Sequence, residues 1–105
     1  MTSETVHVTR HDRTLVVRID REAKRNAIDP SVTAGIGAAL DELEDDPELW
    51  VGILTGTPSV FSAGTDMRAG MSETDRGGRY GVISRTRTKP LIAAVEGPAF
   101  GGGFE

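Results

Sequence analysis

The chain has 105 residues, 37% of them hydrophobic and 27% charged, with a formal net charge of −4. That length supports one domain with a modest core, and the composition is ordinary for a globular protein. An acidic balance without a basic block argues against nucleic acid as a partner, and the lack of cysteine excludes disulfides, thiolate catalysis and cysteine zinc sites.

The opening residues Met1 to Thr5 have neither a basic start nor an apolar centre, so they do not read as a signal peptide. No apolar run approaches the ~20 residues of a membrane helix, and a cytoplasmic location is expected. Val6 and Val8 then alternate with His7 and Thr9, and Leu15, Val17 and Ile19 alternate around Val16 and Arg18. The polar turn His11-Asp12-Arg13 lies between them, which is the pattern of a β-hairpin. His7 and His11 have no neighbour of catalytic type in the sequence and are expected at the surface.

Residues 20–29 form a charged loop in which Lys24 and Arg25 suit phosphates. Composition alone favours a merely solvated loop. Asp29-Pro30 predicts a helix start, an N-cap followed by proline at the first helical position. Val32, Ile36, Ala39, Leu40 and Leu43 fall on one face of that helix. Gly35 and Gly37 each weaken it by ~1 kcal/mol relative to alanine, so packing must hold it. Glu42, Glu44, Asp45 and Asp46 gather near its end, where a solvated face is a simpler reading than a metal site, and Pro47 closes the element.

Trp50 to Gly56 reads as a buried strand, followed by Phe61-Ser62-Ala63-Gly64-Thr65-Asp66-Met67. Residues 69–78 are polar and glycine-containing, a loop or a short broken helix. Tyr80, Val82 and Ile83 are expected to start a helix toward Arg87, with Arg79, Arg85 and Arg87 as solvated charges. Pro90 biases Lys89 to an extended conformation, and Leu91 to Val95 reads as a second buried strand. After the turn Gly97-Pro98 come Gly101, Gly102 and Gly103, then Phe104 and Glu105.

Three successive glycines let the backbone approach another group closely. A helix beginning there has unpartnered N–H groups at the positive end of its dipole, with Glu105 on its first turn. Such groups suit an anion, or an oxygen that becomes negative during a reaction. A glycine turn needed only for tight packing is the plain alternative. Residues 50–67 repeat the plan of strand, turn, small residues and exposed N–H, and two donors from separate loops are what an oxyanion needs. Other glycine motifs do not fit. Gly103 is followed by Phe104-Glu105 rather than Lys-Ser/Thr, the dinucleotide fingerprint is absent there, and no nucleophile elbow occurs.

Phe61 to Met67 resembles the first oxyanion-hole motif of the crotonase (enoyl-CoA hydratase/isomerase) superfamily. Lys89 to Gly97 continuing through Gly101 to Glu105 resembles the second, and Asp20 to Asp29 is similar to the family's early coenzyme A loop. The motifs stand in the family's order and spacing. The resemblance implies an α/β fold, the N-terminal portion of a crotonase-like spiral of β-β-α units. Residues 1–105 are then the N-terminal part of a single domain, with its C-terminal part outside this chain and a longer protein expected. Thr65 and Gly102 supply the backbone N–H donors, and Glu105 orients or deprotonates the water added to a 2-enoyl-CoA. Lys24, Arg25, Ala27, Ala63, Gly64, Asp66 and Met67 form the coenzyme A-binding set, in which Asp66 also shapes its turn. Thr65 departs from the smaller residue often found in the family, which narrows the pocket but spares a backbone donor.

The resemblance calls for no metal and no separate cofactor, since coenzyme A arrives within the acyl-CoA thioester substrate. It implies a homotrimer or a dimer of trimers, with neither nucleic acid nor membrane as a partner. A second glutamate expected of hydratases falls beyond residue 105. An isomerase, a thioester hydrolase and a non-catalytic acyl-CoA-binding member stay open beside the hydratase.

Overall fold

The computed structural model describes residues 3–105. Met1 and Thr2, within the stretch read as lacking signal-peptide character, lie outside the described residues. The alternating segments pair as an antiparallel hairpin of β1 (Val6–His11) and β2 (Thr14–Ile19), with Val6 opposite Ile19 and His11 opposite Thr14. Asp12 turns the chain with a φ of 57°, a left-handed conformation that aspartate tolerates better than most residues. Helix α1 (Pro30–Asp45) starts where the sequence places it, and the Asp29 carboxylate accepts from the Val32 N–H. Strand β3 (Val51–Thr55) then runs parallel to β2. A short ribbon of β4 (Glu73–Thr74) and β5 (Gly78–Arg79) follows, and β6 (Leu91–Ala94) runs parallel to β3. The main sheet has the order β1-β2-β3-β6.

Leu15, Val17 and Ile19 of β2 and Val32, Ile36, Leu40 and Leu43 of α1 are buried together in the core. Each such side chain contributes about 1.5–3 kcal/mol through burial. The helix glycines are explained by close packing. A Cβ at Gly35 would stand 2.7 Å from Val6, and one at Gly37 2.8 Å from Thr74 Cγ2. The hairpin and β4 thus seat against α1 where side chains are missing.

Within residues 3–105 β6 has one sheet neighbour, and Ile92 and Val95 are 54% and 52% exposed. Three expectations need correction. Trp50 precedes β3 and is 63% exposed, with the Arg13 guanidinium 5.1 Å over its ring, a cation–π arrangement. No helix runs from Tyr80 to Arg87; the chain makes turns with φ of 58° at Tyr80 and 78° at Gly81. Nor is Arg85 a solvated charge, since its side chain is 2% exposed. It donates to Asp41 Oδ1 at 2.6 Å and to the carbonyls of Gly37 and Gly81 at 3.2 and 2.9 Å, fastening the 80–85 turns to α1. A buried charge is tolerable only when paired and hydrogen-bonded in this way.

Among the described residues no group of three or more acidic or histidine side chains is placed to hold a metal. No helix among them is long and apolar enough to cross a membrane. The acidic residues near the end of α1 are engaged: Arg10 bonds Glu42 and Asp46, Arg76 bonds Asp45, and the Thr88 hydroxyl and N–H donate to Glu44. His7 Nε2 lies 2.9 Å from Asp20 Oδ2 at the surface, and His11 is exposed.

The Arg10 guanidinium, with the Glu48 N–H, holds the Asp46 carboxyl below the usual aspartate range, and Arg76 does the same for Asp45. Unfolding returns both carboxyls to their ordinary range, so the unfolded chain binds more protons as pH falls through it. Their stabilisation is complete above the ordinary range and is lost as pH drops through the lowered folded values. The melting temperature is therefore expected to fall through that acidic window. Arg10→Ala should flatten the fall, and high salt should mute it because these pairs are exposed.

Candidate active site

The charged loop is organised from its buried centre. After a 3₁₀ turn at Glu22–Lys24, Arg25 and Asn26 both take a φ of 55°. The Asn26 side chain is fully buried. Its Oδ1 accepts from the Arg21 N–H at 2.7 Å, and its Nδ2 donates to Thr57 Oγ1 and to the carbonyls of Val60 and Phe61 at 3.1, 2.9 and 3.3 Å. The Asn26 carbonyl accepts from Ser62 Oγ at 2.8 Å, and Ser62 Oγ accepts from the Gly64 N–H at 3.1 Å. Residues 26 and 62 thus lock two loops that lie far apart in sequence.

Past this lock the loops run side by side. The Ile28 N–H donates to the Gly64 carbonyl at 2.7 Å, and the Asp66 N–H donates to the Ile28 carbonyl at 2.9 Å. In this parallel bridge Ile28 uses groups on either side of Thr65, so the Thr65 N–H points the other way. It has no hydrogen-bond partner among the described residues.

The glycine segment lies against the opposite side of the same loop. Phe61 N–H donates to the Pro98 carbonyl at 2.9 Å, and Phe100 N–H to the Ser62 carbonyl at 3.0 Å. Gly101–Gly103 form a 3₁₀ turn, Phe104 follows it in the right-handed helical region, and Glu105 comes next. The turn is closed by bonds from the Gly103 N–H to the Phe100 carbonyl and from the Phe104 N–H to the Gly101 carbonyl. The Gly102 N–H is left without a partner among the described residues. Gly64 sits between the free groups with a φ of 93°, and a Cβ on it would stand 2.9 Å from Gly102 N and 3.0 Å from the Phe100 carbonyl oxygen. That approach requires glycine. The Thr65 nitrogen is bonded to the carbonyl carbon of this same residue.

Beside Gly102 opens a cavity of about 820 Å³, with walls that include Ile28, Phe61, Tyr80, Leu91, Gly102 and Glu105. Its size suits a small organic ligand. Glu105 is its one carboxylate-bearing residue among the described residues, and Glu105 Oε2 accepts from Arg79 Nη2 at 3.3 Å. Tyr80 is 3% exposed, and its hydroxyl lies 2.5 Å from Thr65 Oγ1. Its left-handed backbone costs about 1–3 kcal/mol for a bulky residue.

The remaining predicted binding residues lie around the first two loops. Lys24 and Arg25 are exposed, and their side chains make no ion pair among the described residues. The Arg25 carbonyl accepts from the Ala63 N–H at 3.0 Å. Ala27 and Ala63 are half-buried, and Met67 is 93% exposed. Asp66 closes its turn by accepting from the N–H groups of Arg68 and Ala69 at 2.9 and 3.2 Å. The Arg21 guanidinium 2.6 Å away, aided by those N–H groups, holds its carboxyl below the usual range. Sequence reasoning missed the side chains of Asn26, Arg21 and Tyr80. Only Tyr80 left a trace, as the one tyrosine of the chain set among Gly77, Gly78 and Gly81.

Residues 9–105 match the family described as enoyl-CoA hydratase/isomerase. The carnitinyl-CoA dehydratase of Salmonella enteritidis PT4 is 43% identical over 111 residues, covering 98% of this chain. Among solved structures, a carnitinyl-CoA hydratase from Mycobacterium avium superposes with a TM-score of 0.89 at 34% identity, over 97% of this chain and 42% of that one. An enoyl-CoA hydratase from Mycobacterium tuberculosis H37Rv gives 0.88 at 41% identity over the same shares. The chain spans about 42% of the length of the curated relatives it matches. The observed α/β arrangement is the N-terminal portion of the crotonase-like β-β-α spiral.

Removing the Asn26 amide strands buried donors and acceptors, each costing about 1–3 kcal/mol. Asn26→Ala is expected to lower stability in urea unfolding by about 3 kcal/mol and to shift the amide resonances of Thr65 and Gly102. Lys24→Ala, at an exposed side chain, should change stability by less than about 0.5 kcal/mol.

Proposed function

The chain belongs to the enoyl-CoA hydratase/isomerase family, and on that premise we propose that it carries the oxyanion side of a hydratase-type site acting on a 2-enoyl-CoA thioester. One observation carries the reading. Two N–H groups without partners among the described residues, at Thr65 and Gly102 on separate loops, flank Gly64, and Gly102 lines a mainly apolar cavity that includes Glu105. The thioester carbonyl oxygen lies between these donors. As water adds to the β-carbon, electrons move onto that oxygen and form an enolate, which the donors stabilise. Loss of one such donor costs roughly 3 kcal/mol in the barrier.

Glu105 takes a proton from the attacking water, with one carboxylate oxygen held by Arg79 and the other free for the water. Protonation of the α-carbon completes the addition, with a second glutamate of the whole enzyme sharing the proton traffic. The reverse path removes water, the direction named for the Salmonella relative. Lys24, Arg25 and the Ala27 backbone meet the phosphate and adenine end of coenzyme A, while Ala63, Gly64, Asp66 and Met67 flank its thioester end. The reaction is written without a metal or redox cofactor. In this reading residues 1–105 are the N-terminal part of a single spiral domain, and the whole protein is a cytoplasmic lyase, a homotrimer or a dimer of trimers.

Hydration of crotonyl-CoA is followed by loss of its enoyl-thioester absorbance. In the full-length enzyme Glu105→Gln should lower kcat by roughly 10²-fold or more while crotonyl-CoA still binds. Undiminished hydration by that variant would sink the role of Glu105. Absence of hydration by the unaltered enzyme, with isomerisation of a 3-enoyl-CoA retained, would favour the isomerase reading.

A further inference from the structure

The cavity wall carries a hydroxyl that the chemistry above leaves unused. Tyr80 lines the cavity beside apolar side chains such as Ile28, Phe61 and Val82, and its hydroxyl lies 2.5 Å from Thr65 Oγ1. Two hydroxyls hold two protons, and the bond between them uses one. Among the described residues the pair has no second acceptor, so one O–H is left for a ligand.

The position of this O–H is set by both proposed backbone donors. A Cβ built on Gly102 would lie 2.0 Å from the Tyr80 hydroxyl and 2.5 Å from Cζ, so the phenol edge occupies the space a side chain at 102 would need. The same hydroxyl is bonded to the side chain of Thr65. It therefore adjoins both residues whose N–H groups are free. The backbone is distorted to bring it there: Tyr80 adopts a φ of 58°, and its N–H donates to the Ser72 carbonyl at 3.1 Å. A bulky residue held in the left-handed region points to a functional constraint.

We propose that Tyr80 is a third hydrogen-bond donor to the thioester carbonyl oxygen: the Thr65 hydroxyl donates to the phenol oxygen and steers it, which leaves the phenol O–H for the ligand. The inference rests on the acyl-CoA reading above. It gives the larger Thr65, at a slot where a smaller residue is often found, a role of its own: its hydroxyl fixes the phenol while its N–H serves the oxyanion. Thr65 is in that respect a positioning residue.

In the full-length enzyme the ¹³Cζ resonance of Tyr80 is the tyrosine signal that Tyr80→Phe removes. Crotonyl-CoA is compared with a thioether analogue in which a methylene replaces the thioester carbonyl. The thioester should shift the Tyr80 ¹³Cζ resonance together with the Thr65 and Gly102 amides, and the thioether should leave the phenol unmoved. Tyr80→Phe should weaken thioester binding about tenfold and leave thioether binding unchanged. Thr65→Ser should keep the phenol shift, and Thr65→Val should lose it. A thioester that shifts both amides but not ¹³Cζ would overturn the third donor and leave the oxyanion reading standing. A thioester that shifts neither amide would overturn both.

Discussion

The Asn26 side chain places both ends of an amide where no water reaches, with its oxygen on the Arg21 N–H and its nitrogen on Thr57, Val60 and Phe61. In a low-dielectric interior such a network is rigid when complete and costly when broken. Every later feature of the site hangs from it. The Asn26 carbonyl positions Ser62, Ser62 positions the Gly64 N–H, and Ile28 then brackets Thr65. Arg21 adds a second tie through Asp66 and the Ala27 carbonyl. The charged loop is therefore a structural support for the loop of Gly64 and Thr65 as well as a proposed nucleotide contact.

Glycine and strain are concentrated on the other side of the same cavity. Gly64 and Gly102 sit where a methyl group would collide with Gly102 N and with the Tyr80 hydroxyl, respectively. Tyr80 holds an unfavourable backbone conformation, and Arg85 buries a charge to anchor the turns that follow it. These choices weaken local preference and are offset by the apolar packing of α1 on β2 and by the closed hydrogen-bond network. The rigid half of the molecule carries the cost of an irregular half.

What was legible in the sequence was what short-range physics decides. Alternation marked the hairpin, Asp29-Pro30 marked the start of α1, and small residues after two strands marked the loops whose N–H groups at Thr65 and Gly102 have no partner among the described residues. Arg85 and Tyr80 were misread because their surroundings are set by residues distant in sequence. An arginine is normally solvated, and an apolar triplet normally suggests a helix, unless Gly37, Asp41 and Gly102 are known to lie alongside. Asn26 carried no local mark, since its three acceptors lie more than thirty positions away.

A donor made from main chain has an uneven exposure to genetic change. Almost any codon substitution at position 65 keeps an N–H there, and only proline deletes it. A change of length is different. Removing one residue between Ser62 and Thr65 would slide the bracket made by Ile28 along the loop, so that a neighbouring amide faced the cavity in an unchosen direction. Lineages carrying this fold should therefore tolerate varied side chains at this point and reject insertions and deletions, so spacing is inherited more strictly than residue identity.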